Sequence, residues 1–271
     1  MNSIIKQIGA VLVVLLMLLG LSACRPSVKD GAIEAGTEEM EKNLSSAVPA
    51  EGNDGLKVAA SYEKDKEVSI TIDVDSLPAA ANAYDENTMR FAMAHLLRND
   101  KFFAADYINN LIISQTPLSV TVNAACPKSS ATLNIPFSEL KGLREKTLSD
   151  CGMGGAQTNL FTVLRDALLP VLKVKGATDI KAAMNGKDME VYVYFPNQEA
   201  LGLDRNTAVA NIKFRALKAL SDHFNCLGAL KPAMVDLYIS AGIENLVLRY
   251  FWDANDTTQR YGANAPLADI L

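Results

Sequence analysis

Cysteine and histidine are the residues best able to do chemistry in this sequence, and both are scarce. The chain of 271 residues contains four cysteines and two histidines. His223 and Cys226 stand three residues apart, a spacing that places both on one face of a helix. With Cys126 and Cys151 they would complete a Cys3His set, which zinc accepts in tetrahedral geometry. A helix-end histidine beside a packed cysteine is the favoured interpretation, and no metal or other cofactor is expected.

Two familiar catalytic motifs are missing. The patterns G-x-S-x-G and H-E-x-x-H are absent from the sequence, which excludes two common hydrolase signatures. His95 stands among apolar residues of a predicted helix and is expected to pack there or face solvent. Asp73 and Asp75 share one face of a predicted strand. We expect them to keep an outer sheet face soluble rather than to bind calcium or perform acid–base catalysis.

Two further segments resemble binding loops without completing them. "DANDTT" at 253–258 begins like a calcium loop, but Thr258 stands where that loop needs glycine and Asn264 where it needs glutamate. "CGMGGA" at 151–156 precedes a predicted helix, whose free N–H groups would suit an anion, yet it lacks the lysine of a P-loop. A flexible connection is the favoured interpretation of this glycine-rich segment.

The first residues carry a targeting pattern. Lys6 is followed by an apolar run at 8–21 and then by Ser22, Ala23 and Cys24. This run is short for a membrane-spanning helix, whereas a basic start, an apolar stretch and small residues describe a secretory signal peptide. The segment Leu21-Ser22-Ala23-Cys24 is similar to the lipobox of bacterial lipoprotein precursors. The resemblance implies removal of residues 1–23 and lipidation of Cys24.

Lipidation implies a membrane as partner. One acyl chain binds a bilayer marginally, whereas two or three chains hold firmly. In lipoproteins that are sorted by the residue after the cysteine, Asp retains the protein at the inner membrane. Arg25 follows Cys24 here, so the resemblance favours the periplasmic face of the outer membrane. An ordinary signal peptide and a plain membrane anchor remain alternatives.

Composition narrows the functional class. The formal net charge is −5, and removal of residues 1–23 with their single lysine makes it −6. A mildly acidic chain argues against nucleic-acid binding, which needs a concentrated basic surface. Envelope compartments oxidise thiols, so a disulfide between Cys126 and Cys151 is a candidate. Cys226 is expected to pack as a small apolar residue.

Segment composition predicts four regions after the signal peptide is set apart. Residues 24–56 are rich in Gly, Ser, Pro and Glu, and are expected to form a flexible tether behind the lipidated cysteine. Residues 57–252 are expected to form the globular domain, divisible into halves at 57–150 and 151–252. Residues 253–271 are expected to be a C-terminal tail.

Periodicity predicts the fold class. Alternating apolar residues indicate strands near 56–62, 68–74, 118–122, 133–137, 189–195, 235–239 and 246–252, and apolar residues at helical spacing indicate helices near 85–100, 103–112, 155–174 and 206–224. This order favours an α+β domain with helices packed on one face of a mainly antiparallel sheet.

A repeat is also indicated. D-x-N-T occurs at 85–88 and again 119 residues later at 204–207, in each case before a long helix. Two β-α-β-β units would explain this, although independent helices also choose such residues for their first turn.

Residues 68–190 faintly resemble the GerM module of some bacterial lipoproteins. The similar segments are "SVTVNAACPKSSATLNIPFSEL" and "GATDIKAAMNGK". No diagnostic residue matches, so the resemblance implies no function for this chain.

The aromatic segment Tyr250-Phe251-Trp252 bears on function. On a strand, Tyr250 and Trp252 share one face and Phe251 points to the other, so one face is core and the other is core or a partner-binding patch. We expect a non-catalytic, lipid-anchored envelope protein that presents its α+β domain to another protein. The alternative is a ligand-binding module, which predicts a concave pocket between the helices and the sheet. A hydrolase with dispersed acidic residues is the weakest alternative.

Overall fold

The computed structural model describes residues 26–47, 57–76, 85–126, 129–151, 153–202, 205–225, 231–252, 258 and 260–271. The helices are α1 Pro26–Ala47, α2 Glu86–Leu97, α3 Ala105–Ser114, α4 Phe137–Glu145, α5 Met153–Leu172, α6 Gln198–Leu201, α7 Arg205–Asn225 and α8 Lys231–Ser240, with 3-10 turns at Leu148–Cys151 and Leu267–Ile270. The strands are β1 Lys57–Glu63, β2 Glu67–Ser76, β3 Leu118–Cys126, β4 Ser129–Ile135, β5 Asp179–Asn185, β6 Asp188–Tyr194, β7 Asn245–Phe251 and β8 Arg260–Pro266. This content confirms the α+β class.

The strands form two sheets of the same design. One sheet has the order β1-β2-β3-β4 and the other β5-β6-β7-β8. In each, the central pair is parallel and the two outer pairs are antiparallel. Antiparallel pairing therefore predominates as predicted, but the strands are shared between two sheets.

The chain builds both sheets by the same route. A long helix, α1 or α5, precedes a hairpin, a helix pair (α2-α3 or α7-α8) leads across, and a second hairpin completes the sheet. The two predicted β-α-β-β units thus agree in strand order and direction, and each is extended by a helix and a strand at its start. Asp85 caps α2, since its side chain accepts a hydrogen bond from Thr88 N at 2.7 Å. Asp204 of the second D-x-N-T lies outside the described residues.

The flexible tether predicted for residues 24–56 is wrong for Pro26–Ala47, which forms α1. Its composition suggested disorder, but Ile33, Met40 and Leu44 are spaced by seven and four residues and share one helical face. These side chains are 0%, 1% and 8% exposed, because α1 packs against β1 and α3. Burial of these three side chains stabilises α1, although the polar average composition of the segment does not indicate a helix.

The predicted C-terminal tail at 253–271 is also wrong in part. Residues 260–266 form β8, which pairs with β7 along its whole length. Ala265, Leu267 and Ile270 are buried, so the end of the chain belongs to the core.

The predicted strand at 235–239 is instead part of helix α8. Alternating apolar residues in a short run fit either structure, and the helix signals here lie at its ends. Pro232 stands in the first turn, where its missing N–H costs nothing. At the other end Gly242 has φ +85°, and hydrogen bonds from Gly242 N to Ile239 O and from Ile243 N to Tyr238 O close the helix in a Schellman motif.

The helices join both sheets into one core. The inward rows of the first sheet and of the second are almost entirely buried; they include Val68, Ile70, Leu118, Val120, Leu133 and Ile135 in the first, and Met189, Val191, Val193, Leu246, Leu248 and Tyr250 in the second. Helix α5 packs against both α2 and α7. The predicted halves at 57–150 and 151–252 therefore share a single hydrophobic core.

Candidate functional site

The two sheets differ on the face opposite their core rows. Pairing registers place Thr71, Thr121 and Thr132 in one outer row of the first sheet, and Asp73, Asn123 and Ser130 in the next. The equivalent rows of the second sheet are Tyr192, Arg249 and Gly262, followed by Tyr194, Phe251 and Arg260. We call the outer surface formed by Lys181, Glu190, Tyr192, Tyr194, Arg249, Phe251 and Arg260 the aromatic face.

Strand alternation produces this surface. In β6, Met189, Val191 and Val193 point into the core. Side chains of a strand alternate between its two faces, so the intervening Glu190, Tyr192 and Tyr194 lie on the outer face. The same alternation in β7 sends Leu248 and Tyr250 inward and Arg249 and Phe251 outward.

Three aromatic rings cluster on the outer face. The centroid of Phe251 lies 5.5 Å from that of Tyr194 in a stacked pair and 5.8 Å from that of Tyr192 in a tilted pair. These separations are typical of favourable aromatic contacts. Phe251 is 4% exposed, whereas both tyrosines are half-buried. Phe251 is therefore the base of the cluster and the tyrosines form its accessible part.

Cations flank the rings. Lys181 Nζ lies 5.6 Å from the ring centroid of Tyr194, and the Arg260 guanidinium lies 5.9 Å from that of Phe251. Both distances allow cation–π attraction. Lys181 also pairs with Asp179 at 3.0 Å.

Glu190 is the buried charge of the aromatic face. It is 6% exposed, accepts a hydrogen bond from Arg249 Nη2 at 2.8 Å and accepts another from the Tyr192 hydroxyl. Burial acts to raise the pKa of Glu190, but these two hydrogen bonds and the charge of Arg249 outweigh it and place the pKa below its ordinary value. Burial and the bonded carboxylate raise the pKa of Tyr192 to about 12. The carboxylate is thus held ionised and fully engaged, which suits structure rather than proton transfer.

Two concave regions lie on this side of the sheet. One, of about 500 Å³, is lined by side chains of the aromatic face from Glu190 to Arg260. The other, of about 720 Å³, lies at the strand ends among Lys181, Tyr194, Pro196 and Trp252. The aromatic face is therefore shallowly concave, with aromatic walls and charged edges.

The chemical candidates from the sequence are not brought together. His95 and His223 lie on α2 and α7, and burial lowers the pKa of both. Asp73 is exposed on the outer face of the first sheet and accepts a hydrogen bond from Asn123 at 2.9 Å; the side chain of Asp75 lies outside the described residues. Among the described residues, no group of histidine, cysteine and acidic side chains could hold a metal ion.

The cysteine predictions have different outcomes. Cys151 is buried, and its Sγ lies 3.7 Å from Thr147 O. The side chain of Cys126 is not described, so its pairing with Cys151 stays a prediction. Cys24 and Cys226 lie outside the described residues. Within the described ranges, no helix has both the length and the apolar character needed to cross a bilayer.

The glycine-rich segment at 151–156 continues into α5, which begins at Met153. The calcium-loop candidate at 253–258 is described only at Thr258. The glycine-rich segment supplies no residue of the aromatic face.

Sequence reasoning identified Phe251 but missed the rest of the aromatic face. The signal was present in "DMEVYVY", where polar or aromatic residues alternate with aliphatic ones, and was weaker in "NLVLRYF", where three aliphatic residues are consecutive. What the sequence could not show is that these two strands are neighbours, since 50 residues separate their nearest ends. A search of protein-family models, curated proteins and solved structures found no match to this chain.

Proposed function

We propose that this protein is a non-catalytic, lipid-anchored protein of the bacterial cell envelope whose aromatic face binds another envelope protein. The observation that carries the proposal is the contrast between equivalent rows of the two sheets. The first sheet has Asp73, Asn123 and Ser130, and the second has Tyr194, Phe251 and Arg260. The first sheet shows that a polar outer row is compatible with this four-stranded architecture. The aromatic and cationic residues of the second sheet are therefore not needed to form it and are available for another role.

The chemistry of the aromatic face suits a protein partner. Tyrosine, phenylalanine and arginine are enriched at the centres of protein interfaces, where a few such residues supply most of the binding energy. Lys181 and Arg260 at the edges would guide an acidic partner segment into register. Phe251 is already packed, which limits the conformational entropy that the surface loses on binding.

The anchor is proposed at Cys24. Helix α1 begins at Pro26, two residues further along the chain. A lipidated Cys24 would therefore hold the folded domain close to the bilayer surface rather than at the end of a long linker. Partners within reach are membrane proteins or other proteins at that surface.

Site-specific photocrosslinking in intact cells tests the proposal. Para-benzoylphenylalanine placed at Tyr194 is expected to capture a discrete protein, because this side chain is the accessible part of the aromatic face. The matched control is the same crosslinker at Asp73, the equivalent position of the first sheet. Equal capture from both positions, or no protein adduct from Tyr194, would contradict the proposal.

A groove between the helices and the second sheet favours a second function, ligand binding. It lies on the opposite side of the sheet from the aromatic face, and binding at one site does not require the other.

A further inference from the structure

A groove opens where β6 and β7 end, on the helical side of the second sheet. It has a volume of about 670 Å³ and is bounded by the segment after α5, by α6, by α7 and by the strand ends. Its wall combines three cations with apolar side chains; the cations are Lys173, Lys175 and Arg215, and the apolar residues include Val174, Leu201 and Phe214.

One residue of the groove lining has a buried hydroxyl for which the described residues offer no hydrogen-bond partner. Tyr250 lines the groove and is 2% exposed, and its hydroxyl has no hydrogen-bond partner in the described part of the chain. A buried polar group without a partner is costly and is uncommon in folded proteins. Burial raises the pKa of Tyr250, so the hydroxyl keeps its proton and is available to donate a hydrogen bond.

The three cations of the groove wall form no salt bridge within the described part of the chain, although Lys173 lies near enough to Asp179 to help lower the pKa of that carboxyl. In contrast, Lys181 and Lys218 nearby pair with Asp179 and Asp222. Three positive charges and one neutral donor therefore line a groove whose described residues include no carboxylate.

The apolar part of the wall narrows the ligand class. Phe214 on α7 lines the groove and is 65% exposed. An accessible aromatic ring in the wall of a groove offers a contact surface to an apolar ligand chain. A purely inorganic anion would use the cations and leave Phe214 without a contact.

We propose that this groove binds an amphiphile: an anionic phosphate head group held by Arg215, the two lysines and the Tyr250 hydroxyl, with an apolar chain lying against Phe214. Guanidinium and ammonium groups are the usual protein ligands of phosphate. The site is built on the second sheet and α7, and it is independent of the aromatic face.

Calorimetric titration of the full-length protein in dodecyl maltoside, with an empty-micelle titration subtracted, tests the site. The probes are octyl phosphate, inorganic phosphate and octanol. Octyl phosphate is expected to bind about tenfold more tightly than inorganic phosphate, since a buried apolar chain adds its transfer free energy. Octanol is expected to bind weakest because it lacks the charge. Equal affinity for both phosphates, tightest binding of octanol, or no heat with octyl phosphate would overturn the proposal.

Variants separate the parts of the site. Tyr250→Phe and Arg215→Gln are each expected to weaken octyl phosphate binding by about fivefold or more, the loss of one hydrogen bond to a charged group. Phe214→Ala is expected to weaken octyl phosphate binding and to leave inorganic phosphate unaffected. The matched control is Lys218→Gln, a charge loss on the same helix at a residue paired with Asp222, and it should change neither affinity.

Folding of the key variant can be checked independently. Tyr250→Phe removes a hydroxyl that lacks a partner, so its thermal midpoint without ligand should equal or exceed that of the parent. Loss of binding at an unchanged or higher midpoint supports the site, and full affinity in this variant contradicts it.

Discussion

Arg249 on β7 donates a hydrogen bond to Glu190 on β6 at 2.8 Å, and this ion pair ties together the two parallel strands under the aromatic face. Glu190 is 6% exposed, so its carboxylate depends on protein partners rather than water. Among the described strands of the second sheet, the parallel pair β6–β7 is the one whose members are distant in sequence. The ion pair therefore stabilises the β6–β7 pairing, whose two strands no short loop connects.

Breaking this pair from the arginine side should destabilise the protein. Arg249→Met leaves a buried carboxylate with the Tyr192 hydroxyl and the Asn185 side chain as its remaining donors, at a cost of about 1–3 kcal/mol. Glu190→Gln in the same chain should recover part of that loss, because it removes the charge that was left without its partner. Chemical denaturation of the two single variants and the double variant measures the coupling, and strictly additive losses would show that the pair contributes nothing.

The lowered pKa of Glu190 also predicts that the stability of the protein depends on pH. Its pKa lies below the ordinary value of 4.5, so the folded state favours the ionised form. The stabilisation is fully present above the pKa of the unfolded chain and is lost as the pH falls through the lower pKa of the folded protein. Unfolding free energies measured from pH 6 down to about pH 3 should therefore fall less steeply for Glu190→Gln than for the parent. Parallel curves would contradict this assignment.

The aromatic cluster shows how far local pattern reaches. Alternation in β6 and β7 predicts which residues share a face, and it placed Phe251 opposite Tyr250 correctly. It does not predict that β6 and β7 pair in parallel, or that Tyr192 and Tyr194 contact Phe251. Those contacts come from the crossover through α7 and α8, whose geometry is set by packing of the whole core.

Helices α1 and α8 show where local pattern fails. In α1 the apolar residues are sparse. Their helical spacing stabilises the helix only because β1 and α3 provide an apolar surface against which they pack. In α8 the apolar residues are dense, so that alternation and helical spacing fit equally well. Both errors arise because burial, which decides between the alternatives, is a property of the tertiary structure.

Docking of α1 on the domain can be tested with two glycines of the same helix. A Cβ atom added at Gly36 would lie 2.3 Å from Cδ2 of the Tyr107 ring, whereas one added at Gly31 meets nothing within 4 Å. Tyr107 is held in place, since its hydroxyl forms a 2.8 Å hydrogen bond with Thr37. Gly36→Ala should therefore push α1 away from α3 and destabilise the protein by about 1–3 kcal/mol.

The matched change gives the opposite sign. Gly31→Ala should stabilise the protein by up to about 1 kcal/mol, because alanine favours the helix and the site is open. Urea denaturation and hydrogen exchange along residues 30–47 measure both effects. If the two variants behave alike, α1 is not packed as described, and a flexible tether would regain support.

The proposed anchor can be tested directly at Cys24. Metabolic labelling with an alkyne fatty acid should mark the parent protein, and mass spectrometry should find a mature chain that starts at Cys24. Cys24→Ser should abolish the label and leave the precursor uncut, whereas the matched variant Cys126→Ser should be labelled and processed normally. Because α1 starts two residues after Cys24, insertion of a flexible ten-residue segment after Arg25 should leave labelling intact but lift the domain from the bilayer. That lift should reduce crosslinking from Tyr194 if the partner lies at the membrane surface. Fatty-acid labelling of Cys24→Ser at the parent level would rule out this anchor.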